Sequence, residues 1–305
     1  MLQAFSVNSS PEDALHFFES VPCRNVVSWN ALLAAFAQRG RLAEASRTFE
    51  MMPQLELASW NTMITAFANT GYLSRGRELF ATMPEFDIIS WNTLIAGYAE
   101  NASYKTAVEL FRELNLEGLK PTESTFVGLL IGCNRGGKVK RAHEHFVSMI
   151  TQYGLRPELD HYGCMVEVLG RAKQLGHAEE LLHEMPFFPG PVAWTSYLSS
   201  CRMHGDFKRA AQAAQHLMEL DPENKSMYQL LANMYTEKAA AQQQQQQSPM
   251  IDGEVVPESF EQKNLLQDHH EAVDPAVEPS RCLRLLSIRT VFLSLIMSCV
   301  RPTAP

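Results

Sequence analysis

Asn30, Asn61 and Asn92 each follow a serine and a tryptophan, and each lies 31 residues after the last. A carboxamide carries a donor pair and an acceptor in one plane, which suits it to hydrogen-bonding the edge of an unstacked nucleobase. A single such asparagine near a helix start reads more simply as a capping or solvated group. Three in register point to recognition of a ligand that is itself periodic.

Other residues that could do chemistry form no complete set. Deamination of a base takes a His-x-Glu and a Cys-x-x-Cys that together hold and use a zinc-activated water. His269, His270 and Glu271 spell the first half, and no Cys-x-x-Cys follows them. His143, Glu144 and His145 are neighbours on a helix, so they face different ways and read as a solvated face. Six cysteines (Cys23, Cys133, Cys164, Cys201, Cys282, Cys299) lack metal or disulfide spacing and read as free thiols in a reducing compartment. Cys133, Cys164 and Cys201 fall within helical runs and read as core packing. With no nucleophile beside a base and no phosphate-cradling glycine loop, no enzyme activity, metal or cofactor is expected.

The elements that must position the asparagines follow from the period. Val21-Pro22, Met52-Pro53 and Met83-Pro84 keep the 31-residue interval, as do Gly40 and Gly71. From Trp29 the aromatic landmarks continue through Trp60, Trp91, Phe126, Tyr162, Trp194 and Tyr228 at intervals of 31, 31, 35, 36, 32 and 34. Within one unit, Trp60, Met63, Ile64 and Phe67 make a single helical stripe. Gly71 supplies a left-handed helix stop, and Leu73, Leu79, Phe80 and Met83 form a second stripe ended by Pro84. Each unit is thus a hairpin of two short helices, with Ser28, Ser59 and Ser90 expected at the N-cap. Such a hairpin buries its apolar face only against neighbours, so the fold class is all-α, an α-solenoid.

The expected layout is a partial unit at 1–25 and five units at 26–56, 57–87, 88–122, 123–158 and 159–190. An atypical region at 191–238 and a low-complexity tail at 239–305 follow. Met1 aligns to the middle of a first helix, so the chain reads as a fragment with missing ends. Residues 242–247 are all glutamine, and the polar, acidic stretch after them is too poor in apolar residues to order itself. The apolar run at 291–300 is about half the length that spans a bilayer. The N-terminus lacks the Arg-rich, acid-poor character of a transit peptide.

Charge sets a limit on partners. The chain carries 26 Lys plus Arg against 34 Asp plus Glu. Without a basic field, nonspecific grip on a phosphate backbone is weak, and any nucleic-acid binding has to come from base contacts. The acidic balance alone favours a protein partner.

The stretches VVSWNALL, IISWNTLIAGYAE, KTAVELFREL with GLKPTESTF, HYGCMVEVLGRA with AEELLHEMP, and VAWTSYLSSCRMHGDFKRAA resemble the pentatricopeptide repeat proteins of plants. The mixed unit lengths resemble the subclass of long, standard and short repeats, with its terminal extension starting at Val192 and a second, truncated extension at YQLLANMY. The resemblance covers roughly 238 residues. It implies a right-handed solenoid that binds single-stranded RNA, one base per repeat, read by the residue after the aromatic and by the last residue of the repeat. The implied pairs are Asn30 with Glu56, Asn61 with Asp87, and Asn92 with Thr122, and Val27, Ala58 and Ile89 match the positions that sandwich the base.

By the same resemblance Asn61 with Asp87 prefers uracil above cytosine, and Asn92 with Thr122 leans to pyrimidines. Asn30 with Glu56 departs from the common pairs. Val127 with Glu158, and Gly163 with Gly190, lack an amide or hydroxyl at the first position. Thr195 with Asn224 lies in the extension motif. The implied role is an adaptor for cytidine-to-uridine editing in mitochondria or chloroplasts, mitochondria favoured, with accessory proteins and a deaminase acting in trans. A helical scaffold for protein partners, or a truncated fragment without function, are the alternatives.

Overall fold

The first helix of each hairpin starts directly after an extended residue. Asn25, Glu56, Asp87, Thr122, Glu158 and Gly190 each hold a β-region backbone immediately before a 13-residue helix. The structure, a computed structural model, describes residues 11–221 together with Tyr228, Gln229, Ala232, Asn233 and Thr236. Among these residues all the regular elements are α-helices: α1 (Pro11–Ser20), α2 (Val26–Gln38), α3 (Leu42–Met51), α4 (Leu57–Asn69), α5 (Leu73–Ala81), α6 (Ile88–Glu100), α7 (Tyr104–Leu116), α8 (Glu123–Arg135), α9 (Val139–Thr151), α10 (Leu159–Arg171), α11 (Leu175–Glu184), α12 (Pro191–Met203) and α13 (Phe207–Leu220). The tail with His269, His270 and Glu271, the apolar run at 291–300, and Asn224 lie outside the described residues.

The described residues divide into two compact units, one up to His183 and one from Glu184 onward. In the first, α2, α4, α6, α8 and α10 pack each on the next in one row, with α3, α5, α7 and α9 packed on them as a second layer. This all-α stack of hairpins is a solenoid. In the second unit α12 packs on α13, and Trp194 stacks on His216 with ring centroids 4.3 Å apart.

Two repeated contacts account for the tryptophan interval. In α2, α4, α6, α8 and α10 the aromatic at the fourth position meets, edge to face, a phenylalanine from the second helix of the preceding hairpin. The pairs are Trp29 on Phe18, Trp60 on Phe49, Trp91 on Phe80, Phe126 on Phe111 and Tyr162 on Phe146, at 4.6, 5.0, 4.9, 5.7 and 5.4 Å between centroids. One turn later, Leu33, Ile64, Ile95, Leu130 and Val166 are each 0% exposed. Aromatic pairs of this geometry add about 0.5–1.5 kcal/mol beyond the area they bury. A hairpin cut off from its neighbour loses this ring contact, which explains why the stack forms as a continuous core.

The hairpin turns follow the expected stop. Gly71, at φ +80, donates its amide to Ala68 O at 3.0 Å, and the Tyr72 amide reaches Phe67 O at 2.8 Å. This is the paired closure of a left-handed helix end. The equivalent places in two other hairpins are held by Ala102 at φ +58 and Lys173 at φ +63.

Two sequence expectations are corrected. Ser28, Ser59 and Ser90 are third helical residues and are buried; the N-caps are Asn25, Glu56 and Asp87. Ser28 and Ser59 instead serve the reciprocal half of a capping arrangement, with the Asn25 and Glu56 amides donating to their Oγ atoms, while the Ser90 hydroxyl donates to Asp87 Oδ1. His143 and His145 are not a solvated face. Burial pushes both below the ordinary histidine range, against the opposing pull of Glu144. His145 Nε2 lies 3.1 Å from the Tyr104 hydroxyl and its ring packs on Phe111. Glu144 alone of the three is exposed, paired with Arg141.

Candidate nucleic-acid interface

Asn30, Asn61 and Asn92 are each the fifth residue of a first helix, on α2, α4 and α6. Because those helices pack side by side, the three amides occupy one register along one row. All three side chains are half-buried. Val27, Ala58 and Ile89 are the second residues of the same helices and are exposed, Val27 at 61% and Ile89 at 60%. A β-branched residue left in solvent one turn before each of two amides offers an apolar flank for a flat ligand.

Glu56, Asp87 and Thr122, expected as partners of the asparagines, are the N-caps of α4, α6 and α8. Their positions follow from the hairpin itself, since the last residue of one unit is the cap of the next. Only one of the three expected pairs is in direct contact: Asn92 Nδ2 donates to Thr122 Oγ1 at 3.0 Å. Asp87 Oδ1 instead accepts from the Ser90 amide at 2.9 Å and from Ser90 Oγ at 3.0 Å. Sequence reasoning missed the partners that the asparagines do take. Asn30 Oδ1 accepts from Ser59 Oγ at 2.7 Å, and Asn92 Oδ1 accepts from Thr125 Oγ1 at 2.6 Å. The missed signal was the hydroxyl directly before each aromatic, which repeats as faithfully as the asparagine.

A groove of about 390 Å³ runs over α4, α6 and the start of α8, lined among others by Thr65, Asn69, Ile89, Asn92, Glu100 and Ser124. Its walls are amides, hydroxyls and small apolar groups with one carboxylate, which suits hydrogen-bonded recognition of a neutral ring better than capture of phosphate. Further along, Val127 and Gly163 occupy the fifth positions of α8 and α10 and present no polar side chain there. In the second unit Thr195 commits its hydroxyl to Pro191 O at 2.7 Å.

The thiols of Cys133 and Cys164 are chemically quiet. Cys133 and Cys201 are fully buried, and burial pushes the Cys133 thiol up to about 11. Burial, helped by Glu167 and Asp160, pushes that of Cys164 up to about 12. Neither is a thiolate at neutral pH. Among the described residues no group of three or more His, Cys, Asp or Glu side chains is placed to hold a metal ion. Among them, too, no helix is long and apolar enough to cross a membrane.

A row of equivalent helical hairpins, three of them displaying an asparagine at the same position, defines a helical-repeat protein. Residues 27–57, 58–88 and 160–187 match the PPR repeat model, and residues 87–135 match the PPR repeat family model. With its relatives, this makes the chain a pentatricopeptide repeat protein of plant type. It is 45% identical over 129 residues to pentatricopeptide repeat-containing protein At3g22690 of Arabidopsis thaliana, covering 42% of this chain and 15% of that protein. It is 40% identical over 133 residues to the Arabidopsis protein CRR2, chloroplastic, covering 44% and 20%. To Arabidopsis At1g06140, mitochondrial, it is 38% identical over 134 residues, covering 44% and 24%. The matched region thus spans about a quarter or less of each of these relatives. Among solved structures, the maize pentatricopeptide repeat protein PPR10 shares the fold at a TM-score of 0.55 and 20% identity, over 83% of this chain and 39% of that one. PPR10 in complex with an 18-nt psaJ RNA element aligns at a TM-score of 0.52 and 19% identity, over 82% and 38%.

Proposed function

We propose that the array binds single-stranded RNA, one nucleotide per hairpin over the units 26–56, 57–87 and 88–122. Asn30 with Glu56, Asn61 with Asp87 and Asn92 with Thr122 read the base edge, while Val27, Ala58 and Ile89 flank its face. The observation that carries this is the shared register of three half-buried amides on consecutively packed helices. The solved RNA complex of PPR10 supports it by analogy of fold. The relatives named chloroplastic and mitochondrial support work on organellar transcripts in a plant. Within that setting the chain acts as an editing adaptor with a truncated extension at 191–238, and the deaminase and accessory proteins come in trans. The units 123–158 and 159–190, whose first positions are Val127 and Gly163, serve chiefly as packing.

The magnitude of binding follows from three contacts. Base contacts of this kind contribute roughly 1–3 kcal/mol each, before the cost of ordering the strand. Even before that cost the sum of about 3–9 kcal/mol corresponds to millimolar to micromolar binding, so the net affinity is weaker still. With 26 Lys plus Arg against 34 Asp plus Glu, its salt dependence is shallow. Filter binding with pyrimidine-rich and purine-rich single strands tests the reading, pyrimidine strands being retained better. Asn61→Thr, leaving Asp87 in place, moves preference towards guanine. Equal, negligible retention of both strands refutes RNA readout and favours a protein-binding scaffold, the reading that the acidic balance supports.

A further inference from the structure

The three asparagines share a register but do not offer a ligand the same atom. Ser59 Oγ accepts from the Glu56 amide at 3.2 Å and gives its one proton to Asn30 Oδ1. Thr125 Oγ1 accepts from the Thr122 amide at 2.9 Å and gives its proton to Asn92 Oδ1. Both hydroxyls are 0% exposed. Turning the Asn30 amide over would set NH2 against the hydroxyl and leave the Ser59 proton without its acceptor in a buried place, a penalty of about 1–3 kcal/mol; turning that of Asn92 would leave the Thr125 proton only the long 3.4 Å contact to Thr122 Oγ1. The carbonyl ends of Asn30 and Asn92 are therefore held inward, and Nδ2 is the end left for a ligand, through the one N–H that Asn92 does not already give to Thr122 Oγ1.

The middle unit is different because its N-cap is an aspartate. Asp87 Oδ1 takes the Ser90 hydroxyl at 3.0 Å. That proton is lost to Asn61, whose Oδ1 is buried with no hydrogen-bond partner.

Resting on the RNA-binding reading, we infer that Ser59 and Thr125 are positioning residues that lock Asn30 and Asn92 as hydrogen-bond donors to the base, while Asp87, by capturing Ser90, leaves the Asn61 amide free to turn its unpartnered carbonyl outward and act as an acceptor. The consequence is alternation along the strand. The outer two nucleotides have to present an acceptor, such as O4 of uracil or N3 of cytosine. The middle nucleotide has to present a donor, such as the uracil N3–H or the cytosine amine. The residue directly before the aromatic thus joins the two reading positions in setting specificity, through the preceding unit's amide.

The test uses the full chain and the strand it binds best, with 3-methyluridine placed at each pyrimidine in turn. Methylation removes the imino donor. A loss of about tenfold is expected at the middle of the three read positions, with less than about threefold at the two beside it. Equal losses at all three overturn the inference. Ser59→Ala frees Asn30 to turn, so the outer position facing Asn30 becomes sensitive to 3-methyluridine, and Ser59→Thr restores the original pattern. A merely structural serine weakens all strands alike and leaves these ratios unmoved, which also overturns it.

A readout without RNA separates this inference from the functional reading. In the free protein the side-chain carbonyl 13C signals of Asn30 and Asn92 lie downfield of that of Asn61, and Ser59→Ala moves the Asn30 signal alone upfield. If those signals behave so and no strand is retained, the amide orientation stands and RNA binding fails. If the three signals coincide and do not respond to Ser59→Ala, the inference fails whatever the strands do.

Discussion

A Cβ placed on Gly97 of α6 would stand 2.7 Å from the Cβ of Ala68 on α4. Ordinary contact begins near 3.4 Å, so Gly97→Ala has to push the two helices apart by several tenths of an ångström. Overpacking of this kind costs about 1–3 kcal/mol. Alanine at a helix-interior glycine returns roughly 0.5–1 kcal/mol. The net expectation is a loss of up to about 2 kcal/mol, or a fall of a few degrees in Tm at about 2–4 °C per kcal/mol for a domain of this size. Gly163 of α10 is the internal control, because an added Cβ there meets nothing within 4 Å. Gly163→Ala is expected to raise Tm by about 1–4 °C, only the propensity gain applying. Circular dichroism melts of the two variants beside the parent chain make the comparison. Since Gly97 and Ala68 also line the groove beside Asn92, Gly97→Ala should weaken strand retention while Gly163→Ala leaves it unchanged. If both substitutions stabilise equally, the close approach of α4 and α6 is not what selects glycine at position 97.

Three further outcomes are expected. Ala102→Gly relieves a left-handed backbone at φ +58 and should stabilise by about 0.5–1 kcal/mol in chemical denaturation. Phe49→Leu keeps apolar volume while removing the ring that meets Trp60 at 5.0 Å; a loss of about 0.5–1.5 kcal/mol is expected, and no loss would remove the ring contact from the reasons for the repeat interval. His143 and His145 have folded-state pKa values pushed below the ordinary 6.5 by burial, so the unfolded chain binds their protons first. Their contribution is complete above about pH 6.5 and declines as pH falls below it; Tm should drop on acidification towards pH 5, and less so in a His143→Gln, His145→Gln variant.

The repeat and the row of asparagines were legible because a stacked array imposes one period on everything it contains. Helical stripes, the turn glycine and the tryptophan all keep that period, and each has a local physical cause. What stayed hidden depended on contacts between units. The serine before each tryptophan has the composition of an N-cap, and only the packing of one hairpin on the next shows it as a buried third residue. The phenylalanines at 18, 49, 80, 111 and 146 keep nearly the same interval as the tryptophans, yet nothing local says which ring each one meets. His143 and His145 misled for the same reason. Spacing on one helix predicts divergent faces, but α7 supplies Tyr104 and Phe111, against which the His145 ring packs.

The residue that closes each hairpin also starts the next helix, and this ties two traits of the protein together. On the proposed readout, a change at Glu56, Asp87 or Thr122 that altered what the strand is asked to present would also alter how firmly the following helix is begun. Retargeting would then be confined to side chains that fill both offices. Gly190, which starts α12 with no side chain, marks the junction where that double obligation has lapsed.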